Sequence, residues 1–382
     1  MITESAELNI PTELEEENKA VEITGQEDED TVAVPFDPKA IKITPRIVSL
    51  DMLIKRLAND EIHLSPEFQR LFVWKDERQS RLIESLLLRL PLPAFYFDGK
   101  DDSRWEVVDG LQRLSTIKRF VIDKKNNLRL TGLEYLRQFE KKSFDELPRD
   151  LQRAIEEAPV TAYIIEAGTP DDVKFNLFKR INTGGLMLTT QEIRHAINQG
   201  LPAKTIAYLA ADETFKHTTQ SKIPTERMED RDFITRFVAF YLLGFQAYDP
   251  DMDTFLNRGM QEIKKPRTDL NKLRENFRSA METAWKIFEI DAFRKRYEEG
   301  ARRKPINKAL FEVVSVSFAQ LAAENPDGLK TLRKRGAAFR KRFIHLMNDA
   351  EFDRAITQGT GQKYTVEKRH TKFREIIKQT IA

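Results

Sequence analysis

The chain has 382 residues, 40% of them hydrophobic, which is room for two domains of ordinary size or one large domain with an appended tail. It contains no Cys, which excludes disulfides, thiolate catalysis and Cys-based zinc sites. No apolar run approaches the roughly 18 residues of a membrane span, and no basic-then-apolar signal pattern opens the chain, so a cytoplasmic protein without a membrane partner is expected.

The net charge of +2 hides a polarity. Residues 1–31 hold 11 Asp/Glu against one Lys, about −10, whereas residues 260–382 hold 28 Lys/Arg against 16 Asp/Glu, about +12. A basic C-terminal third is compatible with nucleic acid, and an acidic tail is able to screen it.

Residues 1–33 are acidic, poor in aromatics and without periodicity, and read as a disordered tail. Ser49 is placed as the N-cap of a short helix with Leu50, Leu53, Ile54 and Leu57 on one face. Leu64–Trp74 reads as an extended or turn segment because Pro66 disfavours helix before it. Asp76 with Gln79 resembles a capping box opening a helix over Leu82, Ile83, Leu86, Leu87 and Leu90, which Pro91 and Pro93 end. Ala94–Phe97 then reads as a short strand.

Val107-Val108 is the end of a buried strand, broken at Asp109-Gly110, a dipeptide that tolerates the positive φ of a tight turn. Leu114, Ile117, Phe120 and Val121 follow at helical spacing. A strand at Leu128–Leu130, short helices at Leu133–Phe139 and Leu151–Ala154, and a strand at Val160–Glu166 are expected next. Pro170 starts a helix that ends at Asn182-Thr183-Gly184-Gly185. Thr189 and Glu192 form a capping box for a helix to Asn198, closed by Gly200 and Pro202. Beyond residue 204 the pattern is helical, at about 204–215, 230–245, 270–290, 305–323, 328–347 and 366–380. The expected organisation is therefore an acidic tail (1–33), an α+β domain (34–203) and a mostly α-helical domain with a basic surface (204–382).

The 105–117 stretch places a strand end, a sharp turn and a helix start within five residues. Gln112 and Arg113 fall on the first helical turn, where unpaired N–H groups and the helix dipole attract anions. An Arg fork and an amide suit a phosphate, and a carboxylate one turn earlier suits a metal ion or a positioned water. A structural turn with a local Asp–Arg pair calls for the same residues.

Three separated segments put Arg and an amide next to a turn or helix end. They are Pro66-Glu67-Phe68-Gln69-Arg70 with Trp74, Asp109-Gly110-Leu111-Gln112-Arg113, and Phe178–Gly185 followed by Gln191-Glu192-Ile193-Arg194. Together, over roughly 47–200, they resemble the ParB-like family known as domain of unknown function 262, of the GmrSD type. Its marks are Pro-x-Phe-Gln-Arg-x-x-x-Trp, Asp-Gly-Gln-Gln-Arg and an Asn-x-Gly-Gly turn before Glu-x-x-Arg. Leu111 departs from the pattern, an apolar side chain that is expected to pack inward.

The resemblance implies a ParB/sulfiredoxin-like α+β fold that binds and often hydrolyses nucleoside triphosphates with Mg²⁺ (or Mn²⁺), linked to restriction of foreign DNA. It implies Asp109, Gln112 and Arg113 as catalytic residues, with Asp109 also the metal ligand. Gln69, Arg70, Gly110, Asn182, Gly184, Gly185, Glu192 and Arg194 would bind the nucleotide. Many relatives end in a His-Asn-His nuclease domain, of which this chain shows no sign; a separately encoded partner would then supply that activity. The five histidines, at 63, 195, 217, 345 and 370, show no ligand or nuclease spacing. His195 reads as a hydrogen-bonded helix residue and His370 as part of a basic face. No P-loop, serine-hydrolase elbow or zincin motif occurs.

Arg333-Lys334-Arg335 and Arg340-Lys341-Arg342 form a basic array on expected helices and are the candidate DNA contacts. The leading reading is an NTP phosphohydrolase acting in defence against foreign DNA. The alternatives are a nucleotide-gated DNA-binding module without turnover, and a metal-dependent nuclease using the ParB-like site. Oligomeric state is not encoded in any readable motif.

Overall fold

The computed structural model describes residues 20–22, 42–64, 74–123, 125–181 and 189–382. Two compact units divide the chain: Phe36–Ile197, and Asn198–Ala382 together with residues 20–22.

The first unit is a five-stranded mixed sheet with helices on both faces. Its strands are β1 (Ile43–Ser49), β2 (Ile62–His63), β3 (Phe95–Asp101), β4 (Arg104–Asp109) and β5 (Pro159–Glu166), in the order β1-β5-β3-β4-β2. β1 is antiparallel to β5 and β3 to β4, whereas β3 is parallel to β5 and β2 to β4. Side chains alternate along each strand, so Phe95, Phe97, Val160, Ala162 and Ile164 face one layer. That layer is completed by Leu53 and Leu57 of α1 (Leu50–Ala58), Ile83 and Leu86 of α2 (Asp76–Leu87), Leu114 and Ile117 of α3 (Leu111–Ile117) and Ile155 of α4 (Arg149–Glu156). On the other face Val108 and Ile165 pack with Phe175 and Phe178 of α5 (Asp171–Ile181) and Ile193 of α6 (Thr190–Ile197).

Several local expectations change. Ser49 is the N-cap of α1 by position, but its side chain makes no cap bond. At α2 the N-cap is Lys75; Gln79 turns back instead to the Trp74 carbonyl (2.8 Å) and accepts from Arg119 (3.1 Å). Leu128–Leu130 is not a strand, because its N–H groups bond outside the sheet, that of Leu128 to the carbonyl of Arg119 in a helical turn and that of Leu130 to the carbonyl of Lys142. Only Arg137–Phe139 of the expected 133–139 helix is helical, a single 3₁₀ turn. The backbone of that stretch is held by buried Glu84, whose carboxylate accepts from the N–H groups of Glu134 (3.1 Å), Tyr135 (2.7 Å) and Leu136 (2.8 Å).

The second unit is helical: α7 (Leu201–Ala210), α8 (Glu213–Thr219), α9 (Glu229–Leu243), α10 (Met252–Glu262), α11 (Leu270–Phe288), α12 (Lys308–Glu324), α13 (Pro326–Lys334), α14 (Gly336–Met347), α15 (Ala350–Thr357) and α16 (Lys363–Ile381). Its core is rich in phenylalanine, with Phe233, Phe237, Phe277, Phe311, Phe318, Phe339 and Phe373 buried around α12. The expected 328–347 helix is two helices, broken at Arg335. α9 and α10 approach closely at Gly259, where any Cβ would collide with Ala239. None of the helices described is long and apolar enough to cross a membrane.

His370 corrects the sequence reading: it and Arg369 are fully buried rather than on a basic face. Both bond to the carboxylate of Glu312, itself fully buried, Arg369 through two nitrogens at 2.8 Å and His370 through Nε2 at 3.0 Å. Arg236 is a third partner, at 3.2 Å. Burial opposes ionisation of Glu312, but the surrounding cations prevail and bring its pKa down to about 2. The Thr357–Gly361 segment is a packed turn: the Thr360 carbonyl accepts from Arg369 (2.6 Å) and that of Gly361 from the Tyr248 hydroxyl.

Candidate functional site

The junction expected at Asp109-Gly110 forms as β4, a one-residue turn, and α3. Gly110 is the N-cap of α3 with φ of 100°, a left-handed conformation that L side chains rarely adopt, and a Cβ there would collide with the Phe95 ring. Leu111 packs against the core of the sheet's α1–α4 face, which is the apolar role expected of it. The helix continues beyond Ile117 as a π-helical turn, Lys118–Ile122.

Arg113, four residues after Asp109, is buried and pairs with its carboxylate at 2.7 Å. Its fork also donates to the carbonyls of Pro93 and Ala94, the latter at 3.0 Å, and lies over the Phe95 ring at 4.5 Å. Three of the five N–H groups of a guanidinium are engaged in this way. The effect is mechanical as well as electrostatic: Arg113 ties the start of α3 to the chain entering β3, and it fixes where the Asp109 carboxylate points.

Burial pushes the Asp109 carboxyl above the usual aspartate range, against the opposing pull of Arg113 and of the Gly110 N–H. Burial equally draws the Arg113 guanidinium down from its ordinary value, and Asp109 only partly restores it. Each partner is thus held in a charged form that the site under-solvates.

Tyr96 stands opposite Asp109 in the β3–β4 ladder, next to a register shift at Tyr96/Phe97, and stacks on Tyr163 with ring centroids 4.8 Å apart. Burial raises its hydroxyl pKa, with Tyr163 and Asp109 adding to the effect. In the sequence Tyr96 reads only as a strand residue; the signal for it is its place three residues after the Pro91-Leu92-Pro93 helix stop. Further along the same strands, Asp98 pairs with buried Lys174 of α5 at 2.6 Å and stands opposite Glu106. Burial, with a contribution from Asp98, raises the Glu106 carboxyl.

Of the remaining expected site residues, Gln112 sits half-buried on the first turn of α3, its carbonyl accepting from Thr116 at 2.8 Å. Glu192 and Arg194 lie on α6, which packs against β4. Both are buried in structural contacts: Glu192 and Thr189 form the expected capping box (2.6 and 3.1 Å), and Arg194 donates to Gln191 (2.6 Å) over the Phe175 ring. Gln69, Arg70, Asn182, Gly184 and Gly185 lie outside the described residues.

The expected DNA contacts all lie in the helical unit. Lys334, Arg335, Arg340, Lys341 and Arg342 are exposed. Arg333 is committed to α11, donating to Thr283 (2.8 Å) and the Ser279 carbonyl (2.9 Å), and Arg335 caps α16 at the Thr380 carbonyl (2.8 Å).

No group of three or more His, Cys, Asp or Glu side chains able to hold a metal exists among the described residues. Among the described residues, then, a divalent ion beside Asp109 would not find three such protein ligands. No curated protein and no solved structure matches the chain. Residues 53–198, which contain the whole Asp109–Arg113 junction, match the family model of the GmrSD restriction endonuclease N-terminal domain, in support of the family resemblance read from the three motifs.

Proposed function

We propose that the Phe36–Ile197 unit binds a nucleoside triphosphate at the β4–Gly110–α3 junction and hydrolyses it, in a protein that takes part in restricting foreign DNA. The observation that carries this reading is the desolvated Asp109–Arg113 pair. Burial drives Asp109 and Arg113 in opposite directions, each toward its neutral form. A ligand bearing both a divalent cation and phosphate oxygens offsets both costs at once. The similarity of residues 53–198 to a restriction endonuclease domain supports the biological context.

In this reading Asp109 orients the attacking water or holds one coordination position of Mg²⁺ (or Mn²⁺), an ion that supplies charge neutralisation on the phosphates. Arg113 keeps the carboxylate in place and uses its remaining N–H groups on a phosphate oxygen. Gln112 hydrogen-bonds the transferring group, and Gly110 keeps the approach free of a Cβ. The family resemblance adds Gln69, Arg70, Asn182, Gly184, Gly185, Glu192 and Arg194 as nucleotide-binding residues. The exposed Lys334, Arg340, Lys341 and Arg342 serve as a phosphate-contacting surface for DNA, and a separately encoded nuclease is the implied partner.

The locked Arg113 fork also favours a second reading, a nucleotide-gated DNA-binding module without turnover. Phosphate release from a panel of nucleoside triphosphates, with and without DNA and Mg²⁺, separates the readings. Turnover that Asp109→Asn abolishes supports the hydrolase, and saturable binding without turnover supports the gated module. Mg²⁺-dependent DNA cleavage without nucleotide supports a nuclease. Absence of any nucleotide binding overturns the proposal.

A further inference from the structure

Residues 20–22 come from the acidic N-terminal region, yet they are built into the helical unit. The Glu22 N–H donates to the Ile306 carbonyl (2.8 Å), and the Ile306 N–H donates to the Ala20 carbonyl (3.1 Å), a parallel bridge centred on Val21 and Ile306. Ile306 is fully buried and bridges Arg294 on its other side, so the N-terminal residues add an outer strand to a miniature sheet. Val21 packs against the phenylalanine-rich core.

The side chain of Glu22 is held more specifically than a strand edge requires. One carboxylate oxygen pairs with Lys295 Nζ at 2.5 Å, and the other accepts from Asn307 Nδ2 at 2.9 Å. Both partners are buried, and both are fixed from behind. Lys295 also donates to the Thr357 hydroxyl (2.9 Å), which in turn donates to the Asp353 carbonyl (2.7 Å). Asn307 donates to the Ile356 carbonyl (2.9 Å), and its oxygen caps α12 at the Leu310 N–H (2.8 Å). Without a carboxylate, the Lys295 ammonium would remain nine-tenths buried beside the neutral Thr357 hydroxyl, a costly state for a charge.

We infer that Ile306, Lys295 and Asn307 form a recognition site for an extended acidic peptide, reading one apolar residue followed by a glutamate, and that Val21-Glu22 is its tethered occupant. The backbone of Ile306 supplies affinity by strand addition, and Lys295 with Asn307 supplies the choice of carboxylate. The site fastens the acidic N-terminal region to the basic helical unit. It distinguishes a fixed anchor at residues 20–22 from an acidic tail that screens only through its net charge.

The test uses the full-length chain and hydrogen exchange of the Ile306 amide. In Glu22→Gln, exchange at Ile306 should speed up at least tenfold, while the Phe318 amide, in the interior of α12, keeps its protection. Adding a peptide of residues 13–31 should restore protection in that variant, and the same peptide with Gln in place of Glu22 should not. A full-length chain lacking residues 20–22 provides the second variant and should bind the peptide still more readily. Unchanged Ile306 protection in both variants overturns the inference, as does equal binding of the two peptides. Protection in the wild-type chain that falls on dilution would overturn the tethered arrangement.

Discussion

Replacing Glu312 by Gln removes one charge and almost no volume from the centre of the helical unit, where Arg236 and Arg369 are 2% and 0% exposed. The cost can be worked in two ways. Removing one partner from a buried, hydrogen-bonded ion pair costs about 3–5 kcal/mol, because the other charge is left buried. Independently, the Glu312 pKa falls from 4.5 to about 2, which by linkage is roughly 3 kcal/mol of stability. Because the folded-state value is depressed, this contribution is fully present above about pH 4.5 and is lost as pH falls toward 2. A loss of about 3 kcal/mol corresponds to a drop of roughly 6–12 °C in the melting temperature of a unit of this size. Calorimetry of the full chain from pH 3 to 7 reads this directly, with the helical unit's transition assigned by hydrogen exchange along α12. Glu312→Gln should melt lower at pH 7 and show a flatter acid limb than the wild type, the two curves drawing together as pH falls toward 2. A variant within 1 kcal/mol of the wild type at pH 7, or one with an undiminished acid limb, would refute the assignment of Glu312 as the charge that holds the core.

Asp109→Asn and Arg113→Ala should each lower nucleotide turnover by roughly 10²-fold or more, measured as phosphate release from variants whose fold is verified by circular dichroism. Burial raises the Asp109 carboxyl, so the acid limb of kcat/KM should fall with an apparent pKa above the ordinary aspartate value of 3.8; a limb at or below that value would show that its ionisation is not required. Gly110→Ala should destabilise the first unit by about 1–3 kcal/mol from left-handed strain alone, with more from the clash with Phe95, and urea titration would detect it. Lys334, Arg340, Lys341 and Arg342 changed together to Glu should abolish DNA binding at low salt without lowering the melting temperature, whereas Arg333→Ala should destabilise α11 and α13, since its fork spans them. Deleting residues 1–31 should tighten DNA binding at about 0.01 M salt and do little at about 0.15 M, as the Debye length shortens from roughly 30 to 8 Å; equal affinities at both would show the acidic region to be a bystander.

The parts of this structure written in local chemistry are legible in the sequence. Val107–Leu111 specifies a strand, a left-handed turn and a helix start through hydrophobicity and a single glycine, and Thr189 with Glu192 closes its capping box as spelled. β1 escapes because its sequence, with Pro45 and Arg46 in the middle, lacks alternation; it is an edge strand, where a proline costs no central ladder bond. Leu128 and Leu130 alternate like a strand around Arg129, but their N–H groups bond to Arg119 in a helical turn and to Lys142 rather than to a neighbouring strand. Non-local pairing is the least legible. Lys368-Arg369-His370 reads as a surface charge run because nothing nearby reveals Glu312, 57 residues upstream of Arg369 and the reason the last two are buried. At the candidate site, the carboxylate, glycine and arginine were legible as types. That Arg113 spends its fork on the carbonyls of Pro93 and Ala94 depends on how β3 enters the sheet, which no spacing announces.

The bridge between Val21 and Ile306 has a consequence for the order of folding. Asn307 and Glu22 are 285 residues apart, and in an unfolded chain their encounter is among the least probable in the molecule. Once Phe36–Ile197 and the helices have each folded, much of the intervening chain is already compact, and closure costs far less. The pairing should therefore form late, after the main barrier. Contacts made after the barrier leave the folding rate nearly unchanged and act on the rate of unfolding. Losing Glu22 should thus shorten the lifetime of the folded helical unit while leaving its refolding speed intact, so this short segment sets persistence rather than speed of assembly.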